Sequence, residues 1–316
     1  MTIVLSKEEI ILKVINEKYP VKIHYVEGKT NEMWHCSGIN SDYYARITNY
    51  KTYEEQFQEV KWTNYLFEHG VGVSPAIYSL EGNIIETGMF PEKKRIVLYK
   101  AAPGIHLPRS KWGPQIFKEL GRQIGIMHRI TKQYEQKESI DHLRDWYENE
   151  EYQFLKYIPE EEATIRELSQ AIFAKVQALQ KNNTTYGLLH ADLWLENVLV
   201  DDQSKITMID FQDCEKHYYL YDLVVPIYSA LEFSFSGNGN IKDYGHAITE
   251  SIFEGYLMEN NIPSEMLEHF PLFLKLKEIF EYHLMHMYWD KDKLSEEQVR
   301  ILNHYRIRLE NNFSII

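Results

Sequence analysis

Apolar positions recur with a helical period from Ser6 onward. Ile10, Ile11, Val14 and Ile15 share one face of Lys7–Tyr19, Ser6 stands at the N-cap, Glu8 and Glu9 fill the first turn, and Pro20 ends the run. The period then shortens to that of strands over Val21–Val26, Met33–Gly38 and Tyr43–Thr48, the first two joined by the turn Glu27-Gly28-Lys29-Thr30-Asn31-Glu32. A helix follows over Tyr53–His69, with Phe57, Val60, Tyr65 and Leu66 as its apolar markers, and the glycines of Gly70-Val71-Gly72-Val73-Ser74-Pro75 break it. Two further strands are predicted near Asn83–Met89 and Arg95–Lys100. Beyond Lys100-Ala101-Ala102-Pro103-Gly104 helices take over. They are predicted at Trp112–Thr131, at Tyr244–Asn260, at Met266–Trp289 and at Ser295–Asn311. Gly121 and Gly125 allow the first of these to pack closely, and Phe233–Asn240 reads as a Gly/Ser/Asn loop. The pattern is that of an α+β chain in two lobes: a small five-stranded sheet with a helix over 1–100, and a larger, mainly helical lobe over 101–316.

Composition narrows the class without naming a chemistry. With 44% hydrophobic and 26% charged residues, the chain reads as a globular protein with a substantial core. No apolar run approaches the roughly 18 residues that cross a bilayer, and Met1–Glu9 lacks the pattern of a signal peptide. Cys36 and Cys214 lie far apart in no metal-binding spacing and read as buried thiols in a reducing cytoplasm. The net charge of −13 argues against nucleic acid and anionic membranes as partners and mildly favours a cationic substrate. The acidic stretch 145–167 reads as exposed helix faces, with a docking surface for such a substrate as the sharper alternative.

The candidate chemistry sits in 187–214. Val198–Val200 and Ile206–Ile209 are short apolar runs around the polar turn Asp201-Asp202-Gln203-Ser204-Lys205, which predicts a hairpin. Folded about Gln203–Ser204, it sets Asn197 opposite Asp210. An amide oxygen and a carboxylate suit Mg²⁺, which takes few protein ligands and fills its shell with water and phosphate oxygens. Asp192, five residues before Asn197, is placed to accept a proton from a nucleophile. One Asp as base, then Asn and Asp on a metal, is the order of a kinase-type phosphoryl-transfer site.

His190-Ala191-Asp192, Asn197, Ile209-Asp210-Phe211-Gln212-Asp213 and Tyr221-Asp222-Leu223 together resemble the aminoglycoside phosphotransferase and choline kinase family, near its homoserine-kinase-like branch. The resemblance implies a protein-kinase-like two-lobed fold, ATP (GTP not excluded) with Mg²⁺, and a small-molecule hydroxyl acceptor such as an aminoglycoside, amino alcohol, homoserine or sugar. It implies Asp192 as base and Asn197 with Asp210 on the metal. Arg46 falls where kinases hold phosphate, with Lys51 as competitor. Glu59 is its ion-pair partner, with Glu55 as fallback. Gly28, Lys29 and Thr30 would form the lid over the phosphates. This tripeptide is no P-loop, because Ile23 stands where a glycine is required. Tyr99 and Ala101 mark the connection that offers backbone to adenine. Asp222 would buttress the catalytic loop and count among the substrate-side residues with Glu281 and His283, while His128 reads as a capped or core histidine. Two rivals remain: a protein Ser/Thr kinase resembling bacterial stress-response kinases, and a nucleotide-binding pseudokinase.

Overall fold

The computed structural model describes residues 6–233 and 241–316, so from residue 234 on the loop expected over Phe233–Asn240 lies outside the described residues. The strands are β1 (Ile23–Gly28), β2 (Met33–Gly38), β3 (Asp42–Thr48), β4 (Arg95–Lys100), β5 (Ile105–His106), β6 (Tyr186–Leu189), β7 (Val198–Val200), β8 (Ile206–Met208) and β9 (Glu215–Tyr218). The helices are α1 (Lys7–Lys18), α2 (Tyr53–Glu68), α3 (Pro114–Glu135), α4 (Phe154–Tyr157), α5 (Ala163–Gln177), α6 (Leu220–Phe233), α7 (Ile241–Leu257), α8 (Ser264–Leu267), α9 (Phe270–Tyr288) and α10 (Glu296–Glu310). No helix among the described residues is long and apolar enough to cross a membrane.

The chain forms two compact units, each assembled from separate segments. The first comprises Met1–Ile105, Gln133–Leu143 and Val198–Gln212. Its sheet is antiparallel in the order β1-β2-β3-β4. Four strands stand here rather than five. The stretch 83–89 contributes one bridge, Glu86 opposite Ile96, flanked by Gly82 and Gly88 in the left-handed region that strands do not use. One face of the sheet carries Val26, Trp34, Cys36, Ala45, Ile47, Ile96 and Leu98 into a core with Ile11 and Ile15 of α1. Capping boxes start both helices of this unit, Ser6 with Glu9 and Thr52 with Glu55.

The second unit comprises His106–Lys132, Arg144–Asn197 and Asp213–Ile316. Strands β6 and β9 pair antiparallel from Tyr186 opposite Tyr218 to Leu189 opposite Glu215, and so carry the chain to both ends of the motif. The expected helix Met266–Trp289 is two, α8 and α9, with Pro271 in the first turn of the second. The acidic stretch after 145 is not one solvated face. Glu162 is buried, accepting from Tyr282 at 2.7 Å and from Arg306 at 2.8 Å, while Glu148 closes a capping box with Asp145.

Candidate active site

In the first unit the apolar pattern of β3 buries Arg46, which stands beside Glu59 of α2, both almost fully excluded from solvent. Arg46 Nη2 donates to the two carboxylate oxygens of Glu59 at 2.8 and 2.9 Å. The guanidinium also lies 5.4 Å from the Tyr99 ring centroid and within electrostatic reach of Asp210. Burial opposes the charge, but Glu59, Tyr99 and Asp210 hold the Arg46 pKa above its ordinary value. Arg46 Nε is buried without a hydrogen-bond partner among the described residues. Glu55, the fallback partner, is engaged instead at the Thr52 cap. Desolvation drives the Tyr99 hydroxyl well above the usual tyrosine range.

The turn after β1 is held by its own residues. Lys29 and Thr30 donate backbone N–H to Met33, the Thr30 hydroxyl accepts from the N–H groups of Glu32 and Met33, and Lys29 Nζ pairs with Glu27 at 2.6 Å. Gly28 lies against the Trp34 ring, which a Cβ would meet at 3.2 Å. The N–H of Ala101 is taken by Asp42 at 3.0 Å.

The hairpin β7–β8 is one residue out from the expected register. Val198 faces Met208 and Val200 faces Ile206, where a turn about Gln203–Ser204 would set Val198 against Ile209. The cause is the turn. Asp201 Oδ1 accepts from the N–H groups of Gln203 and Lys205 and Ser204 adopts φ +62°, so the loop centres on Gln203. Asp210 is exposed at φ +62°, and the next residue, Phe211, anchors it by an edge contact with Trp62 at 5.3 Å.

In the second unit Asp192 and Asn197 share one loop. Asn197 Nδ2 donates to the Asp192 carbonyl at 2.8 Å and to its Oδ2 at 3.2 Å. That orientation leaves the Asn197 side-chain oxygen as the outward acceptor. The loop is strained and braced at one point. Ala191 sits at φ +68°, and its N–H donates to Asp222 Oδ1 at 2.8 Å while that of His190 donates to Oδ2 at 3.1 Å. Beneath lies a polar relay. Asn260 donates to the Tyr256 hydroxyl, which donates to His128 Nδ1 at 3.0 Å, and His128 Nε2–H donates to Asp222 at 3.0 Å. Burial lowers the His128 pKa against the opposing pull of Asp222.

Asp222 is thus a fully buried brace, not a substrate contact, since both its oxygens are engaged. His283 is likewise buried, edge-on to Phe154 and Tyr157, with burial pushing its pKa down to about 4. Glu281 differs: it keeps some exposure, and its Oε1 pairs with Lys277 Nζ at 2.6 Å. Burial raises its pKa, Lys277 opposes that rise, and Asp192 and Glu151 reinforce it. Sequence reasoning passed over Lys277. It is one of four charged residues in Phe273–Tyr282, with Lys275, Glu278 and Glu281, and the spacing does not set it apart from Lys275.

Among the described residues no group of three or more His, Cys, Asp or Glu side chains is placed to hold an ion by itself. The Asn197 amide oxygen in the second unit and the Asp210 carboxylate in the first are each of the kind that an ion accepts when it takes most of its shell from phosphate and water. The unpartnered, buried Nε–H of Arg46 is the donor that a phosphate oxygen would complete. The donor set therefore fits a nucleotide–divalent-ion pair, considered unit by unit.

Comparison with known proteins agrees with this chemistry. The model of the APH phosphotransferase enzyme family matches residues 25–243. Amicoumacin kinase of Bacillus subtilis (strain 168) is 27% identical over 298 residues, covering 93% of this chain and 88% of that protein. The solved amicoumacin kinase hAmiN, in complex with AMP-PNP, Ca²⁺ and Ami, superposes with a TM-score of 0.87 at 26% identity over 98% of this chain and 95% of that one. A microcompartment-associated aminopropanol kinase shares the fold, with a TM-score of 0.73 at 21% identity over 95% and 94% of the two chains.

Proposed function

The chain belongs to the APH phosphotransferase enzyme family, and on that premise we propose that it transfers the γ-phosphoryl group of ATP to a hydroxyl of an amicoumacin-like small molecule. The observation that carries this reading is the pair Asp192 and Asn197, locked 3.2 Å apart on a loop braced by Asp222. Asp192 accepts the acceptor's hydroxyl proton. The acceptor oxygen bonds to the γ-phosphorus as the bond to the β,γ-bridging oxygen breaks, and ADP leaves. Asn197 and Asp210 would hold Mg²⁺, which neutralises charge on the phosphates. Arg46 contacts the nucleotide phosphates, and Glu59 fixes its orientation. Glu281 stands on the acceptor side, where its carboxylate would receive an amino or hydroxyl group. Residues 1–100 serve the nucleotide and 101–316 the acceptor and the chemistry, apart from Asn197 and Asp210, which serve the nucleotide's ion.

The test is ADP release from Mg-ATP across a panel of amicoumacin, amino alcohols and aminoglycosides. Amicoumacin-dependent release is expected. Asp192→Asn is expected to lower it by about 10²–10⁴-fold with nucleotide affinity retained. Turnover unchanged in that variant rejects Asp192 as base. Release that depends on no member of the panel rejects the acceptor class.

A further inference from the structure

Lys277 is buried in α9 at 1% exposure, yet it carries a charge. Its ammonium is fixed on three sides: Glu281 Oε1 at 2.6 Å, the Trp194 ring centroid at 5.0 Å and the Phe280 ring centroid at 4.8 Å. Trp194 lies two residues after Asp192 on the same loop, so this box joins α9 to the loop. Burial disfavours the ammonium, but Glu281, Tyr221 and Asp192 more than reverse that. Asp192 and Glu281 are themselves like charges within reach of one another, with Lys277 coupled to both. A buried Lys–Glu pair is a poor device for stability alone, since apolar residues of the same volume do as well or better. Its position against the loop is what gives it a use.

We propose that Lys277 is a positioning residue for phosphoryl transfer: pinned by Glu281 and boxed by Trp194 and Phe280, its ammonium is the fixed counter-charge that holds the Asp192 carboxylate in place. The inference rests on the reading of Asp192 as base. In this role Lys277 acts through that carboxylate. A displacement of about 1 Å at a reacting group can cost about 10²-fold in rate.

The experiment is a double-mutant cycle on the full chain, reading slow ADP release from Mg-ATP with water as the acceptor. Water as acceptor keeps any contact between Glu281 and the natural substrate out of the measurement. Lys277→Met is expected to lower the rate about 10²-fold with nucleotide affinity within twofold of the parent. In an Asp192→Asn background it is expected to lower the rate no more than about twofold further, because groups acting as a unit are non-additive. If Lys277→Met does not fold, the pair Lys277→Met with Glu281→Gln leaves no unpaired buried charge and serves in the same cycle. A normal rate in the Lys277 variant overturns the proposal, and so do losses that multiply across the two sites, the mark of a general structural defect. A normal rate in Asp192→Asn overturns the base assignment and the inference with it.

Discussion

Glu59 and His283 are both buried, and each makes a different demand on the solution. Glu59 pairs with a guanidinium that has lost its water. Glu59→Ala leaves that cation uncompensated, and the expected loss is about 3–5 kcal/mol in urea unfolding. ATP affinity is expected to fall with it; a stability change below about 1 kcal/mol argues against a fully desolvated pair. His283 is held neutral, its pKa about 4 in the fold against about 6.5 unfolded. Because the folded value is the lower one, its stabilisation is complete above about pH 6.5 and is lost as the pH falls toward about 4. Between about pH 7.5 and about pH 5 this amounts to about 2 kcal/mol. His283→Phe is therefore expected to flatten the acid slope of the urea midpoint by that amount, and an unchanged slope excludes the burial. At this scale the sequence was readable where a residue's neighbours are set by local spacing. Arg46 and Glu59 lie 13 residues apart on a strand and the next helix, and the structure brings them together. Lys277 was not readable, because a helical lysine is exposed by default and nothing in the spacing reports that Trp194 covers it.

Among the elements, the crossing of α3 with α7 is the tightest fit and gives the clearest mutational contrast. A Cβ at Gly121 would overlap the backbone carbonyl of Ile252, and one at Gly255 that of Lys118, so the two helices approach at reciprocal glycines. Backbone cannot yield as a side-chain end does. Gly255→Ala is expected to cost at least about 3 kcal/mol, the upper end of overpacking penalties. Gly113, just before α3, has open space at its Cβ position, and Gly113→Ala is expected to stay within about 0.5 kcal/mol. Thermal melts of both variants settle the comparison, and equal melting temperatures would remove the close crossing. The glycines of α3 were legible in sequence, but their partner on α7 was not, since the contact spans more than 130 positions. Helix starts read well where a capping box exists, as at Ser6, Thr52 and Ser295. The strand over 83–89 failed because its isoleucines, Ile84 and Ile85, are adjacent rather than alternating and are both buried, as a loop plug requires. The hairpin register failed by one residue because an Asp side chain, not the apolar pattern, sets the turn.

For the molecule as a whole, the proposed ligand is an anion and the chain carries a net charge of −13. The phosphates would be met in the first unit by Arg46, whose charge is already shared with Glu59 and Asp210. A divalent ion on the nucleotide changes the sign of what Asp210 contributes, from repulsion to attraction. Binding to the folded state alone stabilises it by about 2.7 kcal/mol at a ligand concentration of 100 times Kd. Mg-ATP is therefore expected to raise the melting temperature by a few degrees. ATP with EDTA is expected to give much less, and Asp210→Ala to narrow the gap between the two. The Asp192→Asn variant should keep the full Mg-ATP shift, because its group serves the proton and not the nucleotide. An equal rise with and without the divalent ion contradicts the assignment of Asp210, whereas loss of the shift in Asp192→Asn means that this carboxylate contributes to nucleotide binding. The two variants thus separate holding the nucleotide from reacting with it, using heat and EDTA with no acceptor present.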